Sequence, residues 1–132
     1  MNHSRWGWGL VAIAALAAPS QARAGNGCEN PKTPYDKTYC LAKLFVESDG
    51  ELNQVYQELR KALKKDSQHA LLGAQREWLA FRDQKCSAGG TIDVQCNYDV
   101  NRARTEFLRD RSRECKTGQC RDDLVGQKNW AQ

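Results

Sequence analysis

Six cysteines are the residues of this chain most able to do chemistry, since thiols can bind a metal, catalyse redox exchange or form disulfides. They are Cys28, Cys40, Cys86, Cys96, Cys115 and Cys120. Their spacings are C-x11-C, C-x9-C and C-x4-C, without the C-x-x-C pair that is typical of zinc knuckles and thiol oxidoreductases. The even number and these spacings predict three structural disulfides, and no metal or other cofactor.

An enzymatic role would need a general base, and His69 is the only histidine after residue 24. It stands in the polar segment Ser67-Gln68-His69-Ala70, where an exposed or capping role is the more common one. The pair Gly89-Gly90 lacks the following Lys-Ser or Lys-Thr of a phosphate-binding loop. The sequence therefore predicts a protein that is not an enzyme.

The first 24 residues have the three parts of a cleavable export signal. Arg5 supplies positive charge, residues 10–18 are apolar, and Ala22-Arg23-Ala24 is an A-x-A cleavage site. The apolar run is much shorter than the roughly 20 residues that span a bilayer. We therefore expect cleavage before Gly25 and a mature chain that is periplasmic or secreted and does not span a membrane. Disulfides persist in such an oxidising compartment.

The charge distribution argues against a nucleic-acid-binding protein. The chain has a net charge of +4, and removal of the signal, which holds Arg5 and Arg23, leaves +2. Acidic residues interrupt the one arginine-rich stretch, which favours a solvated helix face with i,i+4 pairs over a surface for an anionic polymer. The arginines of that stretch are Arg102, Arg104, Arg109, Arg111 and Arg113.

Apolar residues three and four positions apart predict three helices. The first runs from about 34 to 65 after the N-cap Thr33, the second from about 67 to 86, and the third to about 114 after a cap at Thr91 or Asp93. Ser48 begins an S-x-x-E capping box, so a break in the first helix stays open at this point. The expected apolar stripes are Tyr35, Tyr39, Ala42, Phe45, Leu52, Tyr56, Leu59 and Leu63 on the first helix; Leu71, Ala74, Trp78, Phe81 and Lys85 on the second; and Val100, Ala103, Phe107 and Leu108 on the third.

These elements predict an all-α fold in which an antiparallel helical hairpin carries a third packed helix. The expected domain covers residues 25–115, and residues 116–132 form a short, mostly polar tail. If the turn of the hairpin centres near residue 66, positions whose numbers add up to about 131 lie level on the first two helices.

The hairpin model brings four cysteines to its open end, where two disulfides would prevent the helices from splaying. The preferred pairing is Cys28–Cys86 and Cys40–Cys96, with Cys115–Cys120 as a local clip. The exchanged pairing, Cys40–Cys86 with Cys28–Cys96, stays open because sequence alone does not choose among the many pairings of six cysteines.

The same model places Asp49, which lies on the apolar stripe, level with Arg82. A carboxylate in a half-buried stripe needs a partner, and a planar guanidinium supplies two parallel donors. Asp49 could be a binding or catalytic carboxylate, or the two residues could form an interhelical ion pair that fixes the register. We prefer the ion pair.

Two stretches of the predicted helices form recognisable signatures. The first-helix signature is Asp49, Leu52, Asn53 and Tyr56, and the second-helix signature is Gln75, Arg76, Trp78, Phe81, Arg82, Asp83 and Cys86. Both resemble signatures of the lysozyme-inhibitor LprI-like N-terminal domain family of exported bacterial proteins. The remaining landmarks of the family correspond to Cys28, Cys40, Cys96 and Arg104-Thr105-Glu106-Phe107-Leu108. The similarity extends from about Cys28 to Leu108.

The resemblance implies an all-α, disulfide-linked domain of the bacterial cell envelope that binds a protein. For the founding member it implies inhibition of lysozyme (muramidase), which protects peptidoglycan. The alternative is a structural or adaptor protein of the envelope that inhibits nothing. Animal-type lysozymes are strongly basic, so the acidic residues on the first helix would favour association with them.

The contact with such a partner is expected in a loop rather than in the signature residues. Leu52, Tyr56, Trp78 and Phe81 are apolar and predicted to lie in the core. Loops carry binding residues more often than cores do. The loop between the second and third helices is therefore the expected inhibitory contact, through Ser87, Gly89, Gly90 and Asp93.

Overall fold

The computed structural model of the protein describes residues 28–130. It contains α1 (Pro34–Ala62), α2 (Lys65–Cys86) and α3 (Val94–Lys116). Strands β1 (Ser87–Ala88) and β2 (Thr91–Ile92) pair antiparallel between α2 and α3. The all-α prediction is confirmed, although the segment expected to be a loop forms this short β-hairpin. The predicted export signal and its cleavage site lie outside the described residues.

Side chains at the helix ends explain where α1 and α3 begin. The Thr33 hydroxyl accepts a hydrogen bond from the Asp36 backbone N–H, and the Asp36 carboxylate accepts one from the Thr33 N–H, both at 3.0 Å. Asp93 caps α3 by accepting from the Cys96 N–H at 2.9 Å. The second helix begins at Lys65, two residues before the predicted start, and its N-cap residue Lys64 forms no side-chain cap bond.

The first helix is continuous through Ser48, so the break considered above does not occur. The Ser48 hydroxyl donates to the Phe45 carbonyl at 2.8 Å, within the preceding turn of the same helix. Its oxygen therefore does not cap a new helix start.

The three helices alternate in direction. Asp49 on α1 contacts Arg82 on α2, as expected for antiparallel neighbours. On α3, Arg109 contacts Glu51 and Lys116 contacts Glu58. Residue numbers therefore increase in the same direction along both helices, and α3 runs parallel to α1. The packing of α3 is more extensive against α1 than against α2.

The hydrophobic core lies in the C-terminal half of α1 and the elements that face it. Its buried members are Leu52, Val55, Tyr56, Leu59, Leu63, Leu71, Trp78, Leu108 and Val125. Tyr35 and Tyr39 were predicted on the same stripe, but they are 77% and 56% exposed. Because Asp49 is level with Arg82, the part of α1 before about residue 45 projects past the end of α2 and has no helix of the hairpin to cover it.

Two of the three preferred disulfides are wrong. The structure pairs Cys28 with Cys40 and Cys86 with Cys96, and it forms the expected Cys115–Cys120 bond. Cys40 lies beyond the end of α2, several residues from the level of Cys86, so the two helices do not bring those two cysteines together. The Cys28–Cys40 bond holds the N-terminal segment on α1, and the Cys86–Cys96 bond, hereafter the hairpin disulfide, joins the two ends of the β-hairpin.

The segment after α3 packs against the helices and is part of the same core. Val125 is 1% exposed, and Trp130 packs at the edge of the core. At Gly126 a Cβ atom would lie 3.4 Å from the Cβ of Ala70 on α2, so the backbone passes close to that helix. The tail expected to be mostly polar therefore contributes apolar side chains to the domain.

Candidate functional site

A polar junction joins all three helices at the first-helix signature. One guanidinium nitrogen of Arg82, Nη1, donates to Asp49 Oδ1 at 2.8 Å and to Asn101 Oδ1 at 2.9 Å. The amide nitrogen of Asn101 donates to Ser48 Oγ at 3.2 Å and to Asp49 Oδ1 at 3.3 Å. The predicted contact between Asp49 and Arg82 is present, and Asn101 of α3 is a third member that the two-helix register did not predict.

This junction has the features of a structural ion pair. The Arg82 side chain is 13% exposed, Asn101 is fully buried, and Asp49 is 41% exposed. The guanidinium also lies 5.2 Å from the ring centre of Trp78, within the range of a cation–π interaction. Because the Asp49 oxygen already accepts two hydrogen bonds from neighbouring helices, these contacts support the register role over a free catalytic carboxylate.

The other signature residues divide by burial. Leu52, Tyr56, Gln75 and Trp78 are buried, and Phe81 is half-buried. Asn53, Arg76 and Asp83 are exposed, and Asn53 and Arg76 border an open groove of about 450 Å³ between α1 and α2. Most signature residues therefore hold the helices together, as expected, and only the exposed ones are available to a partner.

The arginine-rich stretch of α3 is not uniformly solvated. Arg109 pairs with Glu51 and Glu106, and Arg113 pairs with Asp110, in line with the predicted face of ion pairs. Arg104 departs from this prediction, since it is only 2% exposed.

The buried face of α3 is unusually polar, and hydrophobic patterning missed it for that reason. Its members are Asn97, Asn101, Arg104, Thr105, Leu108 and Ser112. Arg104 Nε donates to Gln75 Oε1 at 3.1 Å, and burial lowers the pKa of Arg104 to about 10. These side chains are three or four residues apart around Leu108, and that spacing is the sequence signal from which this buried face could have been predicted.

The β-hairpin between α2 and α3 has a tight turn and a covalently closed base. Gly89 and Gly90 have φ of 58° and 80°, the left-handed values of a tight hairpin turn that glycine adopts without strain. The Thr91 hydroxyl donates to the Ala88 carbonyl at 2.7 Å, and the hairpin disulfide closes the base. Asp93, expected at the contact, is exposed but uses its carboxylate to cap α3.

The end of the bundle that carries this hairpin also exposes apolar side chains. We call residues 28–49 and 82–99 the hairpin end, because α1 begins, α2 ends and α3 begins there. Tyr35, Tyr39, Val46 and Ile92 are each more than half exposed, at 77, 56, 67 and 67%. The hairpin end has seven acidic and five basic residues, whereas the remaining described chain has nine acidic and thirteen basic ones. It is therefore a negatively charged, aromatic surface on a protein that is otherwise basic.

The described residues offer few groups for catalysis or metal binding. His69 is exposed near the start of α2. Among residues 28–130, no group of three or more His, Cys, Asp or Glu side chains is placed to hold a metal ion. Within the same range, the helices lack a stretch long and apolar enough to cross a membrane.

Comparison with known proteins identifies the family. The model of the family described as lysozyme inhibitor LprI matches residues 28–108, which include all the signature residues and four of the six cysteines. No curated protein and no solved structure matches the chain. The match covers 81 of the 132 residues, and this protein belongs to the lysozyme inhibitor LprI family.

Proposed function

We propose that this protein is exported to the bacterial cell envelope and inhibits a lysozyme by binding it through the hairpin end. The single observation that carries this proposal is the family match over residues 28–108, since the family is one of inhibitors. Its partner is then a protein, and its action is the formation of a stoichiometric complex.

The β-hairpin is suited to enter a cleft. It projects between two helix ends, and its turn glycines have no other atoms near the positions where a Cβ would stand. The hairpin disulfide and the hydrogen bond from the Asp93 N–H to the Cys86 carbonyl, at 2.9 Å, hold it in one conformation. A preorganised loop loses little conformational entropy on binding, which increases affinity.

A hairpin of six residues is too small for a stable complex, because specific interfaces bury about 800 Å² on each partner. The exposed part of α1 at the same end supplies the additional surface. Its aromatic residues, Tyr35 and Tyr39, are of a type enriched at binding hot spots. The negative charge of the hairpin end complements a basic lysozyme and would raise the association rate.

The direct test is lysis of a peptidoglycan suspension by c-type, g-type and phage-type lysozymes, followed by loss of turbidity. We expect the oxidised protein to inhibit one class, with saturation near one equivalent. Absence of inhibition at large excess over every class would refute the proposed function, and retention on cell-wall sacculi would then support the adaptor alternative.

Two substitutions locate the contact. Ile92→Arg changes an exposed side chain of the hairpin, and we expect it to weaken inhibition at least about tenfold because a buried charge opposes association. Gln119→Arg adds the same charge at an exposed position after α3, at the opposite end of the bundle, and should leave inhibition unchanged. Equal inhibition by both variants would place the contact away from the hairpin.

A further inference from the structure

A cavity of about 150 Å³ lies between α2, α3 and the C-terminal segment. Trp78, Phe81 and Trp130 line it with aromatic surface, and Arg104 and Lys85 line it with positive charge. None of its lining residues within the described chain is acidic. Apart from Lys85, these residues lie outside the hairpin end, so the cavity is not part of the proposed inhibitory contact.

Arg104 is the unusual member of this lining. Its guanidinium carbon lies 5.1 Å from the ring centre of Phe107 and 4.6 Å from that of Trp130. Its Nε donates to Gln75 Oε1 at 3.1 Å and its Nη1 to Asn129 Oδ1 at 3.5 Å, so both hydrogen-bond partners are neutral amides.

The remaining nitrogen, Nη2, is buried and has no hydrogen-bond partner among residues 28–130. Burial of a cation is costly unless a counter-charge or strong acceptor meets it. Burial lowers the pKa of Arg104 to about 10, which still leaves it protonated at neutral pH. A protonated guanidinium with an unsatisfied donor, beside aromatic walls and a second cation, favours an anion with an apolar body, and a small movement of the Arg104 side chain would bring the buried Nη2 to that anion.

We propose that this cavity binds a small apolar carboxylate, with its oxygens on Arg104 and its apolar body against Trp78, Phe81 and Trp130. The volume of the cavity is suitable for the apolar body of such a ligand, because an engineered apolar cavity of about 150 Å³ in another protein binds benzene. Such a carboxylate could be a free acid or the C-terminal end of a peptide with an apolar last residue.

The probe for the carboxylate is benzoate, and benzamide is the matched uncharged control. Binding is followed by NMR through the indole N–H signals of Trp78 and Trp130, which both line the cavity. We expect saturable shifts by benzoate with a Kd on the order of 1 mM, as fits a ligand of this size. Benzamide should bind at least about tenfold more weakly, because it cannot form the charge-assisted pair. Equal binding of the two, or no shift by benzoate, would overturn the proposal.

Variants test the role of the two cations. Arg104→Gln should abolish benzoate binding, and Lys85→Gln, at an exposed position, should weaken it a few fold. Arg113→Gln removes an exposed arginine from the same helix outside the cavity, and should leave binding unchanged. If Arg104→Gln does not fold, Lys85→Gln and the benzoate–benzamide comparison decide the outcome. Unchanged benzoate binding by a folded Arg104→Gln would overturn the proposal.

A second ligand pair separates the two sources of carboxylate. N-acetylphenylalanine presents a carboxylate as the end of a peptide does, and its amide is the uncharged control. Tighter binding of this acid than of benzoate assigns the site to peptide C-termini, and the reverse order assigns it to small free acids. Either order, with the amides binding more weakly, supports the carboxylate site.

Discussion

Replacement of Arg82 by methionine tests whether the polar junction holds the three helices in register. Methionine keeps much of the apolar contact with Trp78 but removes the donor to Asp49 Oδ1 and Asn101 Oδ1. Asn101 is fully buried, so water cannot replace that donor without rearrangement. Asp49 is 41% exposed and is partly rehydrated when its partner is lost.

The size of the effect follows from these exposures. Loss of a hydrogen bond that leaves a buried acceptor unsatisfied costs about 1–3 kcal/mol. Rupture of a fully buried ion pair costs about 3–5 kcal/mol, and the exposure of Asp49 reduces that figure. We therefore expect Arg82→Met to lower the free energy of unfolding by about 2 kcal/mol. For a domain of this size, that corresponds to a fall in Tm of about 8 °C.

The assay is urea unfolding of the oxidised proteins, followed by circular dichroism. Arg113→Met is the matched control, because Arg113 pairs with Asp110 on the same helix while its side chain is 60% exposed. Exposed pairs contribute about 0–1 kcal/mol, so this variant should unfold close to the unchanged protein.

A double-mutant cycle with Asp49→Asn separates the pair from other effects of the substitution. The two changes should be coupled by about 1 kcal/mol, because the residues are in direct contact. If Arg82→Met unfolds at the same urea concentration as the unchanged protein, or if the two changes are additive, the junction does not fix the register.

Three further perturbations address local structure. Removal of the hairpin disulfide, with serine at both positions, should lower the free energy of unfolding by about 3 kcal/mol and speed amide exchange in the hairpin; unchanged exchange would mean that the bond does not hold the hairpin. Gly90→Ala places a side chain at a φ of 80° and should lower the free energy of unfolding by about 1 kcal/mol. Gly50→Ala, within α1 and with open space around it, should raise it by a similar amount in the same urea assay. A Gly90→Ala protein at least as stable as the unchanged one would contradict the turn geometry. Hydrogen bonds to Thr33 lower the pKa of Asp36, so the capping contribution is present above the ordinary pKa and is lost as the pH falls through the lowered one. Thr33→Val should raise the pKa of Asp36 in an NMR titration, and an unchanged value would contradict the capping box.

Local spacing was sufficient to predict several parts of the fold. The three- and four-residue recurrence of apolar side chains predicted the three helices, and Thr33 as the N-cap predicted the start of α1. The antiparallel register predicted the contact between Asp49 and Arg82, because it depends only on the rise per residue and the position of the turn. The Cys115–Cys120 bond likewise required only proximity along the chain.

Long-range packing determined what local spacing could not. The four cysteines at the open end pair along the chain, Cys28 with Cys40 and Cys86 with Cys96, because the N-terminal segment folds back onto α1 and the β-hairpin brings the end of α2 next to the start of α3. Tyr35 and Tyr39 are exposed because they lie on the part of α1 that extends past the end of α2.

The buried positions of Asn101 and Arg104 mark the limit of prediction from hydrophobic patterning. A polar side chain is buried only where partners from distant parts of the chain satisfy its donors and acceptors. Those partners are Ser48 and Asp49 for Asn101, and Gln75 and Asn129 for Arg104. The positions of the helices and their register depend on the spacing of nearby residues, so they can be predicted from the sequence. The polar junction and the Arg104 cavity exist only where three separate helices and the C-terminal segment meet.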